Sequence, residues 1–162
     1  MIRKKYHILN CIVLIVVMFL VFSCTWWKGV WGDHPLGNHL SLLEGDRKED
    51  RIIVYCPNDN ENVCLSGIYV VPTYKRHYDS DTQNYAEYVE AALSNEKWVI
   101  VKTVQIKEKK ENYWIISKKF NIENQDCVTK NCDSILQSHV TGPLSLHIFK
   151  NKVRILKIDL EF

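Results

Sequence analysis

Cysteine is the residue type with the clearest chemical meaning in this chain of 162 residues, which contains six cysteines. Four of them lie in polar stretches far from the N-terminus: Cys56, Cys64, Cys127 and Cys132. An even number of cysteines in an exported protein is typical of disulfide bonding, and four cysteines allow three pairings. We favour Cys56–Cys64 and Cys127–Cys132, because each pair closes a short polar loop. The spacings C-x7-C and C-x4-C differ from zinc patterns, where C-x2-C dominates, so disulfides are favoured over a metal site or free thiols.

The other reactive residue types show no catalytic or metal-binding pattern. The chain has no H-E-x-x-H signature, no G-x-S-x-G turn and no glycine-rich phosphate loop. Neighbouring acids such as Glu49 and Asp50, or Asp79 and Asp81, lie in polar turns where solvation accounts for them. A Ser/His/Asp site assembled from distant residues stays open, since its members need not be close in sequence. We therefore predict no catalytic residue, no metal and no cofactor.

The N-terminus indicates export and lipid attachment. A basic start at residues 3–5 precedes an apolar run over residues 8–22, which Ser23 and Cys24 close; this is the order of regions in an export signal. The last four residues, Val-Phe-Ser-Cys, resemble the lipobox at which bacterial lipoproteins are cleaved. We expect Cys24 to be acylated with palmitate-type chains and to anchor the protein to a membrane. The alternatives are an uncleaved transmembrane anchor, for which about 20 apolar residues are usual, and ordinary secretion.

The remainder of the chain has the size and charge of one nearly neutral domain. Three of the 21 Lys and Arg residues lie in the leader and none of the 19 Asp and Glu residues does, so the rest carries a net charge of about −1. That charge provides no electrostatic basis for binding nucleic acid. We expect a lipoprotein signal peptide at residues 1–23, a lipidated tether at 24–35 and a single domain at 36–162.

Runs of β-branched and aromatic residues predict an antiparallel sheet. The expected strands cover residues 38–44, 51–56, 64–72, 97–106 and 112–117, and the tail from residue 153 is expected to finish a helix and add a strand. The strand at 97–106 is apolar on both faces at its start, which indicates a central position with a helix on one side. Residues 74–81 are predicted to form a loop, and 107–111 a charged turn.

Helical spacing predicts one main helix over residues 82–94. Tyr85, Tyr88, Val89, Ala92 and Leu93 recur at i, i+3, i+4, i+7 and i+8, as on one apolar helix face. A weaker helical pattern covers 133–140, and a further helix is expected at 144–151, with Leu144, Ile148 and Phe149 facing inward. The predicted fold class is α+β: an antiparallel β-sheet of about five or six strands, with one main helix and a C-terminal helical segment packed on it.

Tyrosine is concentrated between the third expected strand and the main helix. Tyr69, Tyr74 and Tyr78 are the candidate recognition surface, because aromatic side chains in loops bury a large area at low entropic cost. The alternative is that these side chains, like Tyr85 and Tyr88, fill the core between helix and sheet.

Several short motifs together resemble a known family. They are residues 36–38 (Leu-Gly-Asn), 97–102 (Lys-Trp-Val-Ile-Val-Lys), 113–116 (Tyr-Trp-Ile-Ile) and 142–145 (Gly-Pro-Leu-Ser). Over most of residues 36–156 the chain resembles small uncharacterised lipoproteins of Bacteroidota that are grouped as a domain of unknown function. The resemblance implies an α+β domain on a cell envelope, and it provides no reaction and no site residues.

These features favour a non-enzymatic, lipid-anchored module of the cell envelope that binds a protein or a glycan. An inhibitor of a toxin, in the manner of an immunity protein, is one form of such a module. The alternative from another class is a hydrolase that acts on an envelope polymer, and a third is a structural component of a larger lipoprotein complex.

Overall fold

Two antiparallel β-sheets make up most of the protein in the computed structural model, which describes residues 34–57, 64, 67–122, 127 and 131–162. The described residues belong to one compact unit, Asp33–Phe162. The predicted leader, the lipidation site Cys24 and most of the predicted tether lie outside the described residues.

The first sheet has the strand order β1-β2-β3-β4, the second has the order β10-β9-β8-β7, and β5-β6 is a two-stranded ribbon. The strands are β1 (His34–Gly37), β2 (Leu40–Leu43), β3 (Ile52–Tyr55), β4 (Ile68–Val71), β5 (Tyr78–Asp79), β6 (Asn84–Tyr85), β7 (Glu87–Ser94), β8 (Trp98–Gln105), β9 (Glu111–Ser117) and β10 (Val140–Leu144). The helices are a 3-10 helix (Lys48–Asp50), α1 (Tyr74–His77), α2 (Cys132–Ser138) and α3 (Leu146–Ile155). All of these strand pairs are antiparallel.

The main core lies between the two sheets. Leu40 and Ile53 from the first sheet and Val99 and Val101 from the second belong to one buried apolar cluster, which Leu36 and Leu42 also join. Leu136 of α2 belongs to the same cluster. Because the apolar faces of two sheets cover each other here, the body of the domain is a sandwich of sheets rather than a single sheet covered by a helix.

The opposite face of the second sheet is covered by α3. Phe149 packs there with Ile100, Tyr113 and Ile115. The predicted strands at 97–106 and 112–117 are confirmed as β8 and β9, and β8 is internal to its sheet, as expected. The helix that covers one side of β8 is α3 and not the predicted main helix. Ile148, predicted to face inward, is instead 48% exposed. The predicted strand in the tail is absent, since residues 158–162, which are described, contain no strand.

The predicted main helix over residues 82–94 is wrong, because this segment contains β7. Its residues pair with β8 from Glu87, opposite Gln105, to Ser94, opposite Val99. The free edge of β8 offers a row of hydrogen-bonding groups, and pairing with it outweighs a helical spacing that local sequence alone would satisfy. A bulge after Val89 breaks the in-and-out alternation, so the strand pattern is not visible in the sequence.

The α+β class is confirmed, whereas the single sheet of five or six strands is replaced by two four-stranded sheets and a ribbon. The first strand begins at His34, two residues before the expected start of the domain, and residues 38–44 contain a turn followed by β2. The expected loop at 74–81 contains α1 and β5. β1 pairs with β2, and β5 pairs with β6, each across a short connection. Strands of two to four residues are too short to show a clear alternating pattern in the sequence.

The four cysteines form the two pairs expected from the sequence. Cys56 and Cys64 are bonded with their Cα atoms 5.6 Å apart, and Cys127 and Cys132 with theirs 5.3 Å apart. Cys132 also opens α2 and is buried in the main core, so the second disulfide joins the preceding loop to the helix that closes the sandwich.

Candidate recognition surface

Tyr69, Tyr74 and Tyr78 come from three successive elements that the chain folds against one another. Tyr69 lies in β4, and α1, which begins with Tyr74, follows two residues after the end of that strand. Tyr78 follows α1 and lies four residues after Tyr74, so the two side chains point to the same side of the turn. The ribbon then places Tyr85 directly opposite Tyr78. We call these four residues the tyrosine row.

The rings of the tyrosine row contact one another in sequence. The ring centroids of Tyr69 and Tyr74 are 5.4 Å apart in an edge-to-face arrangement, those of Tyr74 and Tyr78 are 6.1 Å apart, and those of Tyr78 and Tyr85 are 5.8 Å apart, again edge-to-face. These separations are within the range of favourable aromatic pairs. Tyr74 is 53% exposed and the other three are partly exposed. The row is therefore a continuous aromatic surface that reaches solvent.

His77 supports the row from beneath. Its ring is 4% exposed and lies 5.9 Å from the ring of Tyr69 and 5.0 Å from that of Tyr85. Burial lowers the pKa of His77, and the hydrogen bond to the backbone carbonyl of Glu87, at 2.8 Å from Nδ1, opposes that effect. The imidazole is thus neutral near pH 7, with Nδ1–H donating to the carbonyl oxygen of Glu87.

A buried polar network fastens α1 to the second sheet. Arg76 donates to Oε2 of Glu87 from Nε at 2.9 Å and from Nη2 at 2.6 Å. The Thr103 hydroxyl and Asn112 Nδ2, the latter at 3.0 Å, donate to Oε1 of Glu87. Trp114 Nε1 donates to Thr103 Oγ1 at 2.9 Å, and the Arg76 guanidinium lies over the Trp114 ring at 5.3 Å. Because α1 has only four residues and helices that short are unstable alone, this network holds Tyr74 and Tyr78 in place.

The 3-10 helix supports the other end of the row. The guanidinium of Arg47 lies 5.0 Å from the centre of the Tyr85 ring and forms an ion pair with Asp50 at 3.2 Å. Burial opposes ionisation of Asp50, but hydrogen bonds with Arg47 and Tyr85 bring its pKa below the usual value. The Tyr85 ring therefore contacts the Arg47 guanidinium as well as the ring of Tyr78.

A cleft of about 390 Å³ opens beside Tyr69 and Tyr74. It is lined by Gly67, Ile68, Tyr69, Thr73, Tyr74, Cys127, Asn131, Cys132, Asp133 and Gln137. Gln137 Nε2 donates to the Val70 carbonyl at 3.1 Å, and Asn131 Oδ1 accepts from the Ser134 backbone at 3.0 Å. Aromatic and polar groups therefore face one space of the size that holds a small ligand or a short chain segment.

A second cleft, of about 680 Å³, lies between α3 and the C-terminal tail. Its lining includes Tyr113. Burial, and after it the hydrogen bond to Glu111, raise the pKa of Tyr113 to about 12.

Within the described ranges, no group of three or more His, Cys, Asp or Glu side chains is placed to hold a metal ion. In the same part of the chain, no helix combines the length and the apolar character needed to span a bilayer.

The structure brings together all three tyrosines that the sequence singled out, and it adds Tyr85, which the helical reading had placed in a helix. Tyr88 is not part of the tyrosine row. The Nζ atom of Lys48 lies 5.4 Å from the centre of the Tyr88 ring, and the Tyr88 hydroxyl donates to Glu90. Sequence reasoning missed Arg76 and Glu87. The polar residues 79–84 between Tyr78 and Tyr85 are a turn signal that indicates the ribbon, but no local pattern indicates the partners of Glu87.

The fold and the site define an α+β protein with two packed antiparallel sheets and an exposed row of tyrosines beside a cleft. No family model matches this chain, and no curated protein and no solved structure is significantly similar to it. The comparisons assign no family, and the resemblance to lipoproteins of Bacteroidota stays a prediction.

Proposed function

We propose that this protein is a lipid-anchored, non-enzymatic binding module of the cell envelope, and that the tyrosine row and its cleft are the recognition surface. One observation carries the proposal: Tyr69, Tyr74 and Tyr78 form a continuous row with Tyr74 more than half exposed. Tyrosine supplies large contact area and a hydroxyl for hydrogen bonding, and it is enriched where proteins bind partners.

The support beneath the row favours binding, because a rigid surface loses little entropy on association. The Arg76–Glu87 ion pair and the bond from His77 to the Glu87 carbonyl hold α1 on the second sheet. The rings also contact one another before any partner arrives. A partner therefore meets side chains whose positions are already restricted.

The titratable groups next to the row support a binding role over hydrolysis. Glu87 is 1% exposed and both its oxygens accept hydrogen bonds, while His77 is buried and bonded to a carbonyl. A hydrolase needs an acid and a base that reach the substrate. Among the described residues that line the cleft, Asp133 is the single carboxylate, and a hydrolase would need a second acid or base beside it.

The envelope location is proposed from the N-terminal sequence and the cysteines. The leader and Cys24 have the form of a lipoprotein signal, and paired cysteines suit an oxidising compartment. The partner is then an envelope protein or an envelope glycan. A cleft of about 390 Å³ suits a side chain of the former or a sugar unit of the latter.

Photo-crosslinking from the recognition surface tests this proposal. The full chain is expressed in its host with p-benzoylphenylalanine at position 74, 78 or 93 and irradiated. Leu93 is the matched control, because it is an exposed hydrophobic residue on β7 outside the row. Positions 74 and 78 should give a discrete adduct that position 93 does not give, and Tyr69→Ser should weaken the adduct.

A second measurement covers a partner that crosslinks poorly. The full chain and a Tyr74→Ser/Tyr78→Ser variant are used to capture components of detergent-solubilised envelopes and of purified peptidoglycan. Equal capture by the two proteins, together with equal adducts from all three positions, would show that the tyrosine row is not the binding surface.

A further inference from the structure

The described lining of the cleft beside Tyr69 and Tyr74 carries a net negative charge. Among those lining residues, Asp133 is the single charged side chain, and there is no Lys, Arg or His. Asp133 is exposed and forms no ion pair with another described residue. Lys75, which follows Tyr74 in the chain, is exposed and is not part of the lining. A cation that enters this space is therefore attracted by the carboxylate, whereas an anion is repelled.

The two tyrosine rings of the cleft form a corner. The Tyr69 and Tyr74 rings are inclined at 85° to each other, their centroids are 5.4 Å apart, and both rings line the cleft. A flat ligand stacks on a single open ring face, but two rings at right angles bound a rounded group on two sides. Aromatic rings attract a cation that lies within about 6 Å of the ring centroid, because the face of the ring is negative. The corner therefore suits a compact cation.

Other aromatic rings of the protein already hold a cation from the chain itself. Three such contacts, with the cation between 5.0 Å and 5.4 Å from the ring centroid, join Arg47 to Tyr85, Lys48 to Tyr88 and Arg76 to Trp114. In the part of the chain that the structure describes, no Lys or Arg lies over Tyr69 or Tyr74 in this way. The attraction of these two rings for a cation is thus available to a ligand.

We propose that the cleft beside the tyrosine row binds an alkylated ammonium group, of the kind found in choline, that the partner carries. The Tyr69 and Tyr74 rings contact the cation, and Asp133 supplies the opposite charge. Aromatic cages recognise quaternary ammonium ions by the same attraction. A primary ammonium is a compact and strongly hydrated charge, so it loses more hydration free energy on entering an aromatic corner. The corner therefore selects the alkylated form.

The walls of the cleft are held in place before a ligand binds. The ion pair between Arg76 and Glu87 holds α1, which carries Tyr74, on the second sheet. Gln137 Nε2 donates to the Val70 carbonyl at 3.1 Å, which holds α2 against β4. A preformed site loses little entropy on binding. This inference rests on the proposed function, because it names the chemical group by which a partner occupies the recognition surface.

Titration with choline, followed by NMR, tests the inference. The full chain is kept in maltoside micelles, which contain no ammonium group, and its tyrosine rings are isotopically labelled. The matched ligand is the neutral alcohol in which carbon replaces the choline nitrogen. Choline should shift the ring signals of Tyr69 and Tyr74 and bind about tenfold more tightly than the alcohol, as expected for a cation in contact with aromatic rings. N-acetyl-lysine amide, a primary ammonium, should bind more weakly than choline.

Two pairs of variants separate the contributions of the ring and the carboxylate. Tyr74→Leu should weaken choline binding about tenfold, whereas Tyr74→Phe keeps the ring and should bind choline normally. Tyr74 is more than half exposed, so neither change should unfold the protein. Asp133→Asn should weaken binding about threefold. Its control, Asp159→Asn, removes an exposed carboxylate from the C-terminal tail and should leave the affinity unchanged.

The outcomes separate this inference from the proposed function. Equal affinity for choline and the neutral alcohol, no binding of choline, or tighter binding of the lysine derivative overturns the assignment of an alkylated ammonium. Adducts specific to positions 74 and 78 would still support the recognition surface in each of those cases. Excess choline should reduce the adduct formed from position 78, and an adduct that persists unchanged would show that the partner does not use the cation site. Choline binding at Tyr69 and Tyr74 with equal adducts from positions 74, 78 and 93 would support the cation site and count against the proposed partner surface.

Discussion

Arg76 holds one carboxylate oxygen of Glu87 with two nitrogens, Nε at 2.9 Å and Nη2 at 2.6 Å, while the other oxygen of Glu87 accepts from Asn112 and the Thr103 hydroxyl. Glu87 is almost completely buried, and about one-third of the Arg76 side chain is exposed. Since Arg76 lies in α1 and Glu87 in β7, this ion pair joins the tyrosine row to the second sheet.

Replacing Glu87 by alanine should destabilise the protein strongly. The change leaves Arg76 without its partner and removes the acceptor of two buried donors, and loss of one member of a buried pair costs on the order of 3 kcal/mol. Urea denaturation measures the free energy of unfolding. The control is Lys102→Ala, whose ion pair with Glu111 is longer, at 3.4 Å, and partly exposed, so its loss should be below about 1 kcal/mol. Similar losses for both variants would refute the structural role given to Glu87.

Gly142→Ala should also destabilise the fold, through a direct clash. A Cβ at this position would lie 2.5 Å from Cε3 of Trp114 and 2.9 Å from the Tyr113 carbonyl oxygen, and the residue has a φ of +154°. The Trp114 ring is buried and tied to Thr103, so it cannot yield easily, and we expect a loss of about 1–3 kcal/mol.

Gly37→Ala is the matched control for Gly142→Ala. Gly37 also has a positive φ, of +82°, but its added Cβ would meet chiefly the Nζ atom of Lys118 at 3.0 Å. The end of a lysine side chain moves readily, so this variant should have the smaller effect on the thermal midpoint. If Gly37→Ala lost as much stability as Gly142→Ala, the contact with Trp114 would not be the cause.

His77 should make stability depend on pH in the weakly acidic range. Burial places the folded-state pKa of His77 below the ordinary value, so the unfolded chain binds the proton more readily. The contribution of neutral, buried His77 to the free energy of unfolding is fully present above about pH 6.5, which is the unfolded pKa. It is lost as the pH falls from there toward the folded pKa. The carboxyl of Asp50, which interacts with His77, has a lowered pKa and remains ionised in this range.

Chemical denaturation at a series of pH values from 7 to 5 measures this effect. His77→Asn keeps a donor to the Glu87 carbonyl without the titration, and it should flatten the profile. His147→Asn, at an exposed position in α3, should retain the wild-type slope. A profile that His77→Asn leaves as steep as the wild type would assign the pH dependence to another group.

Metabolic labelling with palmitate should depend on Cys24. If the leader ends in a lipobox, Cys24→Ser abolishes the label. Cys11→Ser is the control, because Cys11 lies within the apolar run and should not be acylated. A Cys24→Ser protein that still carries label would remove the lipoprotein proposal.

The strands β8 and β9 and the two disulfides follow from local sequence. Two apolar runs on either side of the charged turn at 107–111 form a hairpin, and the bonded cysteines are only eight and five residues apart. Short separations of this kind restrict the possible partners. The segment 82–94 shows the opposite case, since its helical spacing is real but the edge of β8 supplies a hydrogen-bonding partner that lies outside the segment.

The sequence predicted only part of the candidate surface, because the rest of it depends on contacts outside the local segment. Tyr69, Tyr74 and Tyr78 stand out by residue type and closeness in sequence, and these properties do not distinguish a surface from a core. Whether the rings reach solvent depends on where α1 lies, and the contacts of Arg76 and His77 with Glu87 hold α1 in that place. Arg76 and Glu87 are eleven positions apart in elements of different type, so no periodicity relates them.

By itself, the sequence determined the α+β class, the central hairpin, the cysteine pairs and the identity of the tyrosines, because each depends on neighbouring residues or on the composition of a short segment. Only the tertiary structure decided that residues 87–94 are a strand, that two sheets rather than a sheet and a helix enclose the core, and that the tyrosines form one exposed row. These outcomes depend on which backbone edges and buried charges find partners far along the chain, and that competition is settled only when the whole chain has packed.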